Sequence, residues 1–359
     1  MRAEVFVASA LLCAALLCRP ALAADYGAGE VESALPREAR EILGDVGAED
    51  ALEPEGMFSR LGEAALEKLG SLWRPAARSA AELVAVALLC SAVSALTEGR
   101  AGEYVLLGGV LAAAGIALGD ARTFVSAGAE TLGTLSEFSH ALLPSLTAAA
   151  AAGGAVTAAA AKYAATALFM DVLITAARGL ILPLVYIYMA AAVAHAATGS
   201  SAAEGAARLL KWLAATATGL IMTAFTAYFS ISGAVTGAAD AVTLRAAKSA
   251  ISAALPVVGG IISDAAGTVV AGAGLIRSAV GALGLLAVAA VCLAPFLSLA
   301  LQYLMYKLAA ALVSAFAESR LSALIGSLGG AFGLVLGVVG AAALMLFLSV
   351  VSLVRTVTG

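Results

Sequence analysis

Few residues of this chain could do chemistry, and their spacing narrows what that chemistry is. Its two histidines, His140 and His195, lie far apart in sequence and cannot alone complete a metal shell. Of four cysteines, Cys13 and Cys18 fall within the first twenty residues, while Cys90 and Cys292 sit in apolar runs. They form neither a CxxC pair nor a disulfide framework. No Gly-Lys pair occurs, so there is no Walker A loop to cradle a phosphate. Any work done with nucleotide energy is therefore expected to use a separate subunit. HExxH, GxSxG and paired acidic residues within one apolar run are all missing, which leaves an intramembrane enzyme without support. No catalytic residue, cofactor or metal ligand is expected.

What remains is one stretch that combines charge with loosened backbone, Ala239–Ile276. It carries Asp240, Arg245 and Lys248 on an apolar background, then Pro256, Gly259-Gly260 and Ser263-Asp264-Ala265. Asp240 and Lys248 are eight residues apart, about 12 Å along an ideal helix, too far to pair in one straight helix. Each needs water, a lipid headgroup or a partner residue, because an unpaired charge within lipid costs several kcal/mol. Irregular backbone at membrane depth is tolerated where it is buried in protein or lines water. Asp240, Arg245, Lys248, Pro256, Gly259 and Asp264 are thus candidate gating or partner contacts; the alternative is a membrane-surface helix that only orients its neighbours. A second pattern is Gly329, Gly333 and Gly337, at i, i+4 and i+8. It predicts a close helix-packing stripe, with Gly340 expected off its line.

The elements that must hold these residues follow from composition. Over 359 residues, 62% are hydrophobic and 12% charged, with a mean hydropathy of +1.01. That is too little charge to coat a soluble globule of this size. The fold class is all-α, a polytopic transmembrane helical bundle. A net charge of −4 with 20 Lys and Arg leaves no cationic field for nucleic acid.

Arg2, the apolar run Val5–Leu17 and Ala21-Leu22-Ala23 read as a signal peptide over residues 1–23, or as a retained anchor helix. Residues 24–82 form an acidic extracytoplasmic helical region; its stretch Asp25–Glu82 holds 13 acidic and 6 basic residues. Phe58, Leu61, Ala65, Leu69 and Leu72 recur there at helical spacing. A solvated linker with one interfacial helix reads equally well.

Residues 83–161 contain the short apolar stretches Leu83–Leu96, Tyr104–Gly119 and Ala141–Ala161. Residues 162–238 make a first helical hairpin, with strong spans at Gly179–Ala197 and Trp212–Ala238. Residues 239–278 are the amphipathic or re-entrant segment. Residues 279–359 make a second hairpin, with spans at Ala279–Tyr306 and Leu328–Leu353. Seven spans are expected, five at the least. Seven would put the mature N-terminus outside and the C-terminus inside, which the distribution of Lys and Arg supports weakly. Pro183 and Pro295, 112 residues apart, head similar hairpins and suggest an internal repeat.

The central segment also carries a resemblance. Ala239-Asp240, Val242-Thr243-Leu244-Arg245, Ala247-Lys248, Pro256-Val257-Val258-Gly259, Ser263-Asp264-Ala265 and Tyr306-Lys307-Leu308-Ala309-Ala310-Ala311 resemble the stage III sporulation protein AE family. The resemblance is most specific from about Ala141 onward. It implies a multi-pass subunit of the stage III A assembly, in the mother-cell membrane around the forespore. It also implies partners: membrane lipid and the other stage III A proteins, among them a separate ATPase subunit, with no nucleic acid. The implied role is a channel or secretion-like link that supports late forespore gene expression. The alternative is a permease moving a small solute through its own bundle. Such a carrier usually buries several ionisable groups near midplane, and here the strong spans hold almost none apart from His195.

Overall fold

The computed structural model describes residues 37–43, 54–96, 100–152, 156–254 and 259–355. Among them every regular element is helical: α1 Arg37–Leu43, α2 Pro54–Leu96, α3 Arg100–Ala152, α4 Val156–Ala176, a π-helical turn Ala177–Ile181, α5 Leu182–Thr198, α6 Ser201–Ala254, α7 Gly259–Val313 and α8 Ser319–Arg355. The signal-peptide residues 1–23 lie outside the described residues.

Six helical stretches are long and apolar enough to cross a membrane: Ser59–Leu96, Ala101–Ala148, Val156–Thr198, Ser201–Ile231, Gly284–Val313 and Ser319–Leu353. The chain is a multi-pass membrane protein. Among the described residues the candidates number six, within the expected range of five to seven, because Tyr104–Gly119 and the first half of Ala141–Ala161 belong to one 53-residue helix, α3. Asp120, Arg122, Glu130 and Glu137 interrupt its hydropathy but not its helical phase. Val110, Ala113, Ala117, Ala121, Val125, Leu132, Leu135, Leu142 and Leu146 stay buried at helical spacing throughout, while Arg122, Glu130 and Glu137 point outward. Likewise α2 runs unbroken through the boundary expected at residue 82, so its charged and apolar halves form one rod.

α8 is the axis of the bundle. Leu321, Leu324, Ile325, Leu328, Phe332, Val335, Val339, Ala342, Leu346, Val350 and Leu353 all bury, a row at spacings of three and four with few polar atoms to satisfy. Lys162 and Thr166 meet α8 at Ser352 and Ser349, and Tyr188 meets it at Ser327. Numbers rise on one partner as they fall on the other, so α4, the π turn and α5 form one antiparallel rod against it. The π turn has a local cause. Pro183 has no N–H to give the carbonyl four residues back, and its ring crowds that carbonyl, so the turn before it widens. No such widening precedes Pro295, which lies inside a continuous α7.

Between α5 and α6 only Gly199 and Ser200 intervene. Gly199 takes φ 68° and ψ 12°, and its N–H donates to the His195 carbonyl at 2.8 Å. A left-handed residue that closes a helix in this way favours glycine. Gly199→Ala is therefore expected to destabilise the protein by about 1–2 kcal/mol, the cost of placing a Cβ in that conformation. Thermal unfolding in detergent checks it.

The hairpin ends cluster: the Gly199 backbone lies against the Arg320 guanidinium, and Ser91 donates to the Phe316 carbonyl. If each of the six candidate spans among the described residues crosses once, Ser59 and Leu353 share one side and these connections the other, whereas seven spans would put the two ends on opposite sides. Single cysteines at Ser201 and Ser319 should label with an impermeant maleimide from the same side, and a reporter after Arg355 should lie on the opposite side.

Candidate functional site

Where α2, α3 and α7 meet, three polar side chains converge on one carboxylate. α3 brings Asp120, α2 brings Ser79, and α7 brings Gln302 and Tyr306, one helical turn apart and so on one face. Asp120 Oδ2 accepts from Gln302 Nε2 at 2.6 Å and from the Tyr306 hydroxyl at 2.7 Å. Asp120 Oδ1 accepts from Ser79 Oγ at 3.3 Å. Gln302 and Tyr306 are fully buried, while Asp120 is half-buried. Gln302 Oε1 has no hydrogen-bond partner. One turn away, Glu82 pairs with Arg78 at 2.8 Å on the exposed side of α2 and adds negative field at Asp120.

Packing holds the cluster in place. The Tyr306 ring meets Phe332 edge-on at 5.0 Å between centroids, and Phe332 meets Phe124 at 5.8 Å. One aromatic chain thus joins α7, α8 and α3, and such pairs are worth about 0.5–1.5 kcal/mol beyond area burial.

A second polar group lies where α4 meets the C-terminal part of α8. Lys162, buried, donates to the Ser352 carbonyl at 3.0 Å, and the Thr166 and Ser349 hydroxyls lie 2.7 Å apart. A third uses the bare backbone of α8. Tyr188 donates to the Ser327 carbonyl at 2.9 Å, and Lys307 to the Gly326 carbonyl at 2.9 Å. Gly326, Gly329 and Gly330 leave these carbonyls uncovered.

The sequence-derived candidates fall elsewhere. The backbone of Asp240, Arg245 and Lys248 continues α6 without a break, and Gly259 begins α7, which also contains Asp264. Pro256 lies outside the described residues, as do the side chains of the other five. The glycine stripe is reshaped. A Cβ on Gly329 would lie 2.8 Å from Tyr306 Cβ, and one on Gly333 3.1 Å from the Tyr303 ring. Gly337 has nothing within 4 Å, whereas Gly340 would meet Phe296 at 3.4 Å. At 100° per residue Gly337 has turned about 80° from Gly329, but Gly340, eleven residues on, only about 20°. Gly340 therefore shares the face and Gly337 leaves it. His195 caps a turn, its Nδ1 lying 2.9 Å from the Ser200 carbonyl oxygen.

Asp120 was hidden in sequence by its position at the edge of an apolar stretch, where a charge reads as a span boundary. The usable signal was Gln302 and Tyr306, polar groups at i and i+4 within a strong span. Among the described residues no group of three or more His, Cys, Asp or Glu could hold a metal ion.

The family described as Stage III sporulation protein AE (spore_III_AE) matches residues 49–356. A curated relative, "Stage III sporulation protein AE" of Bacillus subtilis (strain 168), is 25% identical over 198 residues, 55% of this chain and 50% of the relative. The matched stretch thus spans half the length of that relative. No solved structure matches.

Proposed function

Because the chain belongs to the stage III sporulation protein AE family, we propose that it is the large multi-pass subunit of a stage III A assembly. That assembly lies in the mother-cell membrane around the forespore, with a separate ATPase subunit among its partners. It acts as a channel or secretion-like link that supports late forespore gene expression, and this subunit works by binding and positioning rather than by catalysis. The family match over residues 49–356 carries this reading, since it takes in every candidate span.

A tagged chain purified from sporulating cells should bring down the other stage III A proteins, including the ATPase. Its deletion should lower late forespore reporters and the yield of heat-resistant spores. Recovery of the chain alone, with normal spore yield on deletion, overturns the reading.

The α6–α7 segment is its proposed contact with partners or gate. Asp240→Asn and Lys248→Gln should each lower spore yield about tenfold, the effect of about 1.4 kcal/mol on one coupled equilibrium, at an unchanged protein level. Normal yields in both variants would return the segment to the role of a surface helix. The permease alternative draws on one observation, the polar groups around Asp120 and Lys162 inside candidate spans. Solute uptake by proteoliposomes of the purified chain alone would favour it.

A further inference from the structure

Asp120 lies inside the span Ala101–Ala148, and among the described residues no basic side chain is within ion-pair distance of it. A half-buried carboxylate carries a desolvation cost unless its charge is balanced. Its three hydrogen bonds come from neutral groups, which leave the charge in place, and Glu82 adds to it. Beside it, the fully buried Gln302 amide leaves Oε1 without a hydrogen-bond partner, which is rare for a buried polar atom and calls for a partner.

We propose that Asp120, Gln302, Tyr306 and Ser79 form a binding site for a small alkali cation such as sodium. The donor set is all oxygen: both Asp120 carboxylate oxygens, Gln302 Oε1, the Tyr306 hydroxyl and Ser79 Oγ. Hard oxygen ligands suit hard cations. One carboxylate at the centre balances a single positive charge, whereas protein sites for divalent ions gather more carboxylates. Gln302 Oε1, on the same amide whose Nε2 donates to Asp120, is the acceptor left open to a cation. The hydroxyls of Tyr306 and Ser79 offer lone pairs once their protons turn away. Entry is from the side on which Asp120 is half-exposed. Helices α2, α3 and α7 each supply a ligand, so occupation clamps three spans together.

The full-length protein, purified in detergent, is unfolded thermally in sodium chloride and in choline chloride at equal ionic strength. The midpoint should rise by a few degrees as sodium replaces choline and then saturate, because a ligand that binds only the folded state stabilises it by mass action. Asp120→Asn and Gln302→Leu should flatten that rise. If Asp120→Asn does not fold, the wild-type titration and Gln302→Leu decide the matter alone. Equal wild-type midpoints in the two salts, or an unchanged sodium response in Gln302→Leu, overturn the site. A midpoint that follows pH and ignores sodium also overturns it, in favour of a proton. None of these outcomes bears on assembly with other sporulation proteins, which the purification from sporulating cells tests separately.

Discussion

Gly329→Leu should abolish accumulation of the folded protein, while Gly337→Leu should leave it near wild type. The two glycines are two helical turns apart on α8 and differ in what lies opposite. At Gly329 a Cβ would sit 2.8 Å from Tyr306 Cβ, with the Tyr303 carbonyl oxygen at 3.6 Å and the Lys307 nitrogen at 3.7 Å. These atoms belong to the α7 backbone or are bonded directly to it, so no rotamer change clears them and the helices must separate. Overpacking of this kind costs about 1–3 kcal/mol and occasionally more, and a leucine against backbone belongs at about 3 kcal/mol or above. Separation would also loosen the Tyr306–Phe332 pair and the bonds to Asp120. At Gly337 nothing lies within 4 Å, and a change of about 0.5 kcal/mol or less is expected there. Membrane-fraction abundance and unfolding in detergent check both variants, and equal tolerance would refute the close approach.

Tyr306→Ala is the second change expected to be severe, and Tyr306→Phe separates its causes. The tyrosine is among the largest fully buried side chains, packed on Phe332 and bonded to Asp120. Removing the ring leaves a cavity joining α3, α7 and α8, at about 3–5 kcal/mol. Removing only the hydroxyl keeps the aromatic chain but deprives a carboxylate of a donor, at about 1.5–3 kcal/mol. Unfolding in sodium-free choline buffer reads the hydrogen bond without the proposed cation. A Phe variant as unstable as the Ala variant would show that the hydroxyl, not the ring, carries the site.

The hydropathy of this chain made its class legible, since 62% hydrophobic residues leave lipid as the only solvent for most of its surface. It did not make the length of the second crossing legible. A window average treats Asp120, Arg122, Glu130 and Glu137 as interruptions, whereas the buried row from Val110 to Leu146 keeps one helical phase beneath them. Gly337, alone of the three glycines, leaves the face for a related reason. A spacing of four drifts about 40° at each step, so the residue that rejoins the face is Gly340, not Gly337. The carboxylate cluster was illegible because its ligands are 41, 182 and 186 residues from Asp120, and only the packing of three rods brings them together.

The two-residue link at Gly199-Ser200 bears on how the protein enters the membrane. Two residues extend at most about 7 Å, against about 30 Å of hydrocarbon. The rod ending at Thr198 and the rod starting at Ser201 therefore cannot wait on opposite faces of the bilayer for each other. Once both are helical they are held to one face at this end, so Glu204, Arg208 and Lys211 on the first turns of the second rod lie beside the end of the first.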